Sequence, residues 1–383
     1  MNLLTKINRY FDFKRYLKYL YQKALRNYKI NSTISFLKQF QNKKILMMNA
    51  SPLSKTMLQQ RPHHFLNFWK KDFDIVMYIS YKVNKPTLLF DNVYEVPSLP
   101  IVPNNSEIYY YMSSVSCISL KYFKKLKKYG YKIIYDYYDE ISEKIASTKN
   151  AVRVHKNFNK LKPELVLATS DKLYKDVENK KLPNLMLVKN GVTLEDFQKE
   201  ITDIPKDLKQ ILEHKKIIVG YYGYLAEWIN FDLIEKFLLK YPNYNFIFIG
   251  KYTAKTDSER LKKYKNYYYL GPKDYKELYK YSKMFNCALI PFKHGRIAKA
   301  TSPNKLFEYM AVGCPTVCTR DLVECKGYEG VLMSENDEEF IANIQKAVEM
   351  YNDEKIRNKL KDYAKRNTWE EKANTIMKKI KEI

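Results

Sequence analysis

Residues 300–317, ATSPNKLFEYMAVGCPTV, bring a helix start, an ammonium group and a carboxylate into one short segment. Ser302 is a preferred N-cap type and Pro303 suits the first helical position, so a helix is expected to begin there. Gly313 followed by Pro315 is expected to end it. The start of such a helix directs unpaired N–H groups at whatever precedes it and attracts anions, phosphates above all. Lys305 adds positive charge at that end, and Glu308 sits one turn in. The same residues also fit a well-capped helix of an α/β layer, with Lys305 and Glu308 as a solvated i,i+3 pair.

Two sets of short β-branched or aromatic runs must position this segment. Residues 43–50, 74–80, 106–113, 131–139, 163–170 and 184–192 read as strands separated by helical pattern, including a helix over 142–160. After the polar, strandless stretch EDFQKEITDIPKDLKQILEHK the rhythm restarts, with strands over 215–223, 245–250, 266–271, 287–292 and 314–319. Alternation of this kind predicts parallel sheets covered by helices. The 383 residues exceed one usual compact core, in keeping with two domains, 43–195 and 196–365, preceded by a helical extension over 1–42. The expected fold class is therefore α/β, with two facing doubly wound, Rossmann-like domains. In such sheets ligands bind beyond the carboxyl ends of the strands. The helix that opens at Ser302 follows the 287–292 strand, which points its N-terminus into the expected crevice and favours the anion-site reading.

Charge narrows the partners. The chain holds 68 Lys and Arg against 42 Asp and Glu, a net charge of +26, and such a surface is drawn to polyanions. Residues 1–30 carry Lys6, Arg9, Lys14, Arg15, Lys18, Lys23, Arg26 and Lys29 against Asp12 alone. Leu3, Ile7, Tyr10, Leu17, Tyr21 and Ala24 fall on one side of a helical wheel. Two readings stand: a basic amphipathic helix lying in an anionic membrane interface, and a helix packed on the protein's own core. No helix-turn-helix, zinc-finger spacing or aromatic RNP-like strand points to specific nucleic-acid binding. No apolar run is long enough to cross a bilayer, so neither an exported precursor nor a membrane-spanning chain is expected. Cys117, Cys287, Cys314, Cys318 and Cys325 follow no metal or disulfide spacing and read as buried, reduced thiols.

Four segments stand together in the order of a known family: QQRPHHFLNFWKK (59–71), VKNGVTLEDF (188–197), IVGYYGYLAEW (218–228) and the stretch from NYYYLG to GCPTV (266–317). With them the chain resembles the GT-B glycosyltransferases, in particular the branch that builds bacterial capsule and cell-wall polysaccharides from nucleotide sugars. The resemblance implies a nucleotide-sugar donor on the second domain and a glycan or glycolipid acceptor on the first. It also implies that the terminal TWEEKANTIMKKI, within 366–383, is a closing helix that crosses back to the first domain. Glu308 matches the residue that bonds the donor ribose in the family, a task suited to a group that accepts two hydroxyl hydrogen bonds. Thr301, Ser302, Asn304 and Lys305 match the loop that holds the diphosphate; Lys305 also fits a salt-bridge partner. Gly271-Pro272 stands where relatives let a loop touch the base, and a plain strand-to-helix turn fits the same residues.

The chain departs from the family in two places. Many retaining relatives carry a second Glu eight positions before the ribose-binding one; that position is Ala300, so a retaining mechanism is not carried over. The Gly-Arg and Lys phosphate clamp of many relatives is absent after Gly223, where Tyr224, Glu227 and Trp228 stand. Arg296 and Lys299 are candidate substitutes near the β-phosphate, or solvated loop charges. Trp228 is a candidate donor-stacking ring or a core anchor. Arg61, His63 and His64 open a helix toward the expected cleft and are candidate acceptor or phosphate ligands, the histidines also candidate catalytic groups. Asp139, at a strand end, is a candidate general base or the N-cap of the next helix. Asp72 and Asp74 show the spacing of metal-binding members of the other major glycosyltransferase fold, but they precede a strand and read as turn residues. No metal or other cofactor is expected. The expected protein is a cytoplasmic glycosyltransferase, peripheral to the inner face of the membrane, that extends a lipid-linked surface glycan. A sugar-nucleotide epimerase or hydrolase is one alternative. An inactive relative acting as an assembly subunit is the other, and Ala300 with the missing clamp fits it.

Overall fold

The structure is a computed structural model that describes residues 3–50, 59–141, 149–253 and 259–383, with the backbone alone over 3–14. Eight strands form one sheet: β1 (Lys44–Asn49), β2 (Ile75–Ile79), β3 (Thr87–Phe90), β4 (Val93–Val96), β5 (Glu107–Ser113), β6 (Lys132–Tyr137), β7 (Leu165–Ala168) and β8 (Leu185–Leu187). Their order is β3-β4-β2-β1-β5-β6-β7-β8. Six more form a second sheet: β9 (Ile218–Tyr222), β10 (Asn245–Ile249), β11 (Tyr267–Tyr269), β12 (Cys287–Ile290), β13 (Thr316–Thr319) and β14 (Val331–Ser334), in the order β11-β10-β9-β12-β13-β14. The pairings of the second sheet are parallel throughout, and its order is the doubly wound one that reverses between the first and fourth strands. β12 (CALI) and β13 (TVCT) are buried along their whole length, as parallel strands covered on both faces are.

The expected strands are all present with shorter bounds, and two features were not anticipated. β3 and β4 pair antiparallel across Asp91-Asn92, with Asp91 at φ 45°. This tight turn is of the kind Asp and Asn accept at little cost. β14 extends the second sheet beyond β13. Of the helix expected over 142–160, Lys149–Lys156 and Phe158–Leu161 are helical, and its start lies outside the described residues. Cys117, Cys287, Cys314, Cys318 and Cys325 are buried and unpaired.

The chain divides into two compact units, Met1–Ser54 with Trp69–Asp136 and Ser147–Glu164, and Lys55–Phe68 with Tyr137–Ala146 and Leu165–Ile383. Residues 165–195, read from sequence with the first half, group with the second unit. The local cause is visible at Val192, whose N–H donates to Asn367 and whose carbonyl accepts from Trp369, at 3.0 Å each. A Cβ on Gly191 would lie 2.6 Å from the Asn367 carbonyl, so the two segments meet at backbone distance. The helix Trp369–Lys381 thereby returns to residues near 61–65 and 190–193, with the Trp369 ring stacked 4.7 Å from His64.

In the first unit, the C-terminal end of the N-terminal helix Leu3–Lys38 packs on the protein's own core. Thr33 and Leu37 are fully buried, the Ser98 hydroxyl bonds Thr33 Oγ1 at 3.1 Å, and Phe36 packs on Tyr94. Thr33 and Leu37 thus anchor this end of the helix in the core. Tyr16, Leu17, Tyr19, Leu20, Tyr21 and Tyr28 are exposed. No helix among the described residues is long and apolar enough to cross a membrane.

Candidate active site

The second sheet reverses its order between β9 and β12, and the site is built at the carboxyl ends of these strands. β9 runs into Gly223 at φ 139° and β10 into Gly250 at φ 142°, a backbone region that L side chains rarely enter. A Cβ on Gly250 would lie 1.8 Å from the Gly223 carbonyl oxygen, so the two strand ends touch through backbone. A Cβ on Gly223 would meet the Lys305 side chain at 3.0 Å. Gly223 therefore keeps room for Lys305, and Gly250 allows the backbone of Gly223 to approach.

Past β12 the short helix Arg296–Ala300 leads to the helix Asn304–Ala311. The expected cap is corrected here: Pro303 occupies the N-cap position, the helix begins at Asn304, and no side chain caps it. The Ser302 hydroxyl is engaged elsewhere, accepting from the Asn190 N–H at 3.2 Å, while the Ser302 carbonyl accepts from Asn190 Nδ2 at 2.6 Å. Thr301 donates to the Ile297 carbonyl at 2.7 Å and closes the preceding turn. With its start uncapped by a side chain, the helix presents its first N–H groups to the space before it. Its end is as expected, with Gly313 at φ 70° and the Cys314 N–H on the Tyr309 carbonyl at 2.9 Å.

A cavity of about 260 Å³ lies before this helix. Its walls include Thr301 to Lys305, Glu308, Tyr222 to Tyr224 and Tyr275, joined by Gln60, Arg61, Asp139 and Asn190. Glu308 is 3 % exposed. Burial raises its carboxyl from 4.5 to about 7, against partial lowering by the Tyr222 and Tyr275 hydroxyls and by Lys305. The Tyr222 and Tyr275 hydroxyls lean on this carboxyl without closing a hydrogen bond of ordinary geometry, and Asn304 Oδ1 is likewise buried without a hydrogen-bond partner. Burial also lowers the Lys305 ammonium from its usual range, opposed by the Glu308 charge. Its Nζ lies 5.3 Å from the Tyr221 ring centre and 5.4 Å from that of Phe292. The solvated Lys305–Glu308 surface pair is therefore not what the fold builds.

Among the wall residues that sequence reasoning missed are Asn190, Tyr222 and Tyr275. Asn190 accepts from Arg61 Nη1 at 3.0 Å while its other bonds go to Ser302, so one amide ties the 61–65 helix to the 301–303 loop. The Asn-Gly pair at 190–191 was its one local signal.

The other candidates distribute unevenly. Arg61, Asp139, Gly223, Tyr224, Thr301, Ser302, Asn304, Lys305 and Glu308 line the cavity. His63 and His64 do not. His63 Nδ1 accepts the Gln60 N–H at 3.1 Å in the first turn of its helix. His64 is fully buried, stacked on Trp369 and edge-on to Tyr275, and burial pushes its ring down to about 3, so it stays neutral as a packing residue. Arg296 and Lys299 also lie off the cavity; Arg296 pairs with the buried Glu140, which Lys172 holds as well at 2.7 Å. Glu227 is exposed and Trp228 packs partly buried on the hydrophobic core, away from the cavity. The Gly271 carbonyl accepts the Gly250 N–H at 3.0 Å, and Gly271 with Pro272 forms the turn after β11. Asp74 accepts the Lys44 N–H at 2.7 Å, in keeping with a turn role.

Residues 203–367, which contain the second sheet and the helix of Glu308, match the family described as Glycosyl transferases group 1. A Bacillus subtilis (strain 168) protein assigned to teichuronic acid biosynthesis as a glycosyltransferase, TuaH, is 27% identical over 226 residues. That match spans 56% of this chain and 55% of TuaH, so about half the length of the curated relative. Among solved structures, Anabaena Alr3699/HepE in complex with UDP superposes with a TM-score of 0.62 at 14% identity, covering 89% of this chain and 100% of that one. Sucrose-phosphate synthase from Thermosynechococcus elongatus gives 0.69 at 12% identity, covering 90% and 99%. The chain has the GT-B fold, and it resembles the bacterial polysaccharide branch of GT-B glycosyltransferases.

Proposed function

We propose that this protein is a glycosyltransferase that moves a sugar from a nucleotide-sugar donor to a growing, lipid-linked bacterial surface glycan, at the inner face of the membrane. The observation that carries the reading is the buried Glu308 carboxyl one turn into an uncapped helix, beside Lys305 and the buried, unpartnered Asn304 Oδ1, with the Tyr222 and Tyr275 hydroxyls against it. The UDP and UDP-glucose complexes of Alr3699/HepE support a nucleotide-sugar donor for a chain of the same fold. The similarity to TuaH, assigned to teichuronic acid biosynthesis, supports a glycan-building role.

In this reading Glu308 accepts hydrogen bonds from two ribose hydroxyls, as a carboxylate with two oxygens can. The diphosphate lies over Gly223 against the first N–H groups of the Asn304–Ala311 helix, with Lys305 meeting its charge. As the sugar leaves, negative charge grows on the β-phosphate, and these fixed donors stabilise it without reorganising. Asp139, on the same cavity wall, is the candidate group to take the acceptor proton. The positive groups of the chain itself carry the phosphate chemistry, and no metal is assigned a step.

A thermal-shift screen of nucleoside diphosphates and nucleotide sugars tests the donor site, because a ligand of the native state raises the melting temperature with its occupancy. One nucleotide series is expected to stabilise the wild type and not Glu308→Ala. Incubating that donor with bacterial membrane lipid and following nucleotide release then tests transfer. No stabilisation by any nucleotide, in a protein that melts cooperatively, refutes the donor site. Donor turnover without acceptor would instead favour the hydrolase or epimerase alternative.

A further inference from the structure

A cavity beside the N-terminal helix is separate from the site above. It measures about 630 Å³ and lies in the first unit, between the Leu3–Lys38 helix and the loops after β2, β4 and β5. This is within the range of small-molecule sites, about 300–1,000 Å³. Leu25, Ile30 and Ile34 form one wall, and Leu99, Ile101 and Ile118 form another. Three cations border it, Arg26 and Lys29 from the helix and Lys125 opposite, and among the described residues no carboxylate lines it. Lys29 already donates to the Tyr81 carbonyl at 2.9 Å, which fixes its ammonium group at the rim.

An apolar interior whose charged lining residues are all cations matches a molecule with a hydrocarbon chain and an anionic head. The flank of the cavity adds a second argument. From Arg15 to Lys38 the helix holds six Lys and Arg and no acid. Its exposed Leu17, Leu20, Tyr16, Tyr19 and Tyr21 lie just N-terminal to the cavity-lining residues. A helix with apolar, aromatic and basic side chains exposed along this stretch suits the boundary between headgroups and acyl chains. It would place the mouth of the cavity at the depth where lipid phosphates and the first chain carbons lie.

We propose that this cavity binds one chain of a phosphate-bearing membrane lipid, with the phosphate held by Arg26, Lys29 and Lys125. The proposal rests on the membrane side of the reading above and is independent of the donor site. The lipid chain fills the Leu25–Ile30–Ile34 wall, so that engagement with the bilayer is stereochemical as well as electrostatic. Attraction by the helix surface alone would need charge but no cavity.

The test uses the full chain and dodecyl phosphate, kept below its micelle concentration, as the probe in a thermal-shift and intrinsic-fluorescence titration. Inorganic phosphate and dodecanol are the comparisons. Dodecyl phosphate is expected to saturate one site per chain and to bind at least tenfold more tightly than either comparison. Ile30→Trp, which fills the cavity, and the surface pair Arg26→Glu with Lys125→Glu are each expected to weaken it at least tenfold. Nucleotide stabilisation in the same samples shows that the variants are folded, and Glu308→Ala is expected to leave dodecyl phosphate binding unchanged. Equal binding of inorganic phosphate, equal binding of dodecanol, or wild-type affinity in both variant proteins overturns the proposal. So does the absence of saturable binding to the wild type. Co-sedimentation with vesicles of phosphatidylcholine and phosphatidylglycerol separates the two membrane claims. Vesicle binding that survives Ile30→Trp while dodecyl phosphate binding is lost assigns the cavity to the lipid chain. Vesicle binding with no dodecyl phosphate site leaves only the helix surface and sinks the cavity claim.

Discussion

Glu308 offers the sharpest test, because its carboxyl must change protonation when a ribose binds. In the free protein burial holds it at about 7, against 4.5 in the unfolded chain. Between these values the folded protein keeps a proton that the unfolded chain has released, so stability falls as pH rises from 4.5 to 7 and is level above. At 1.36 kcal/mol per pH unit, the full effect is about 3 kcal/mol, an upper bound for a side chain whose surroundings relax. Glu308→Gln cannot ionise and is expected to lack this fall, so chemical denaturation at pH 5 and pH 8 should show the variant gaining on the wild type at the higher pH. Binding runs the other way. A diol that donates to the carboxylate requires the ionised form, so affinity for a nucleotide sugar should rise with pH. With half-ionisation at about 7, binding at pH 5.5 is expected to be roughly thirtyfold weaker than at pH 8. Isothermal titration calorimetry in buffers of different ionisation enthalpy should register a proton released on binding near pH 6.5. A nucleotide sugar is the right ligand, since its diphosphate diester does not titrate in this range. The reasoning fails if Glu308→Gln binds with the same pH slope as the wild type, or if no proton is released.

Gly250→Ala places a methyl group 1.8 Å from the Gly223 carbonyl at φ 142°, and should destabilise the protein by at least about 2 kcal/mol in a urea melt. An unchanged midpoint would mean that the β9 and β10 ends are not in backbone contact. Lys305→Met keeps the packing against Tyr221 and Phe292 but removes the charge, so affinity for a nucleoside diphosphate should fall by about tenfold or more while affinity for the nucleoside changes little. Equal losses for both, measured by calorimetry, would place Lys305 away from the phosphates. His64 is held neutral with its ring at about 3, below the ordinary 6.5, so the unfolded chain binds the extra proton and stability is lost as pH falls below 6.5. His64→Phe should reduce the loss between pH 6.5 and 4.5 by up to about 3 kcal/mol, and an unchanged acid limb in denaturant titrations would refute a neutral ring.

Much of this architecture was legible in the sequence because parallel strands buried on both faces are short, continuous apolar runs bounded by turns. KKIIVGYYG, NFIFIG and CALIPF need only that rule, and all three are strands. The helix that carries Glu308 was legible for the same reason, through its Pro and Gly punctuation. Its cap was not: Ser302 has the right side chain, but Asn190, 112 residues away, competes for the hydroxyl and wins. The histidines misled for a related reason. A His at a helix start reads as a ligand from its chemistry, yet the ring of His64 is claimed by Trp369, 305 positions along the chain. Arg296 follows the same pattern, taken up by Glu140. Ser302, His64 and Arg296 are each a side chain whose partner lies far away in sequence, whereas strand and helix identity is set by neighbours.

That distinction also bears on the cavity at Glu308. A buried carboxyl, a half-buried ammonium group, two hydroxyls that meet the carboxyl in poor geometry and an unpartnered Asn304 Oδ1 are each costly in a free protein, by about 1–3 kcal/mol for an unsatisfied atom. Scattered through the core, they would be defects; gathered on one wall, they have a common direction. Glu308 and Asn304 Oδ1 can only accept once Glu308 is ionised, while the Tyr222 and Tyr275 hydroxyls and Lys305 can donate. A ligand that satisfies them all must carry hydroxyls that both give and receive, next to an anionic group. A ribose bearing a diphosphate has that arrangement. A free phosphate satisfies Lys305 but leaves the Glu308 side without a donor, and a neutral sugar does the reverse. The polarity of the wall thus discriminates between parts of the nucleotide as well as between ligands, which is why the Glu308 and Lys305 substitutions are expected to fail on different fragments of it.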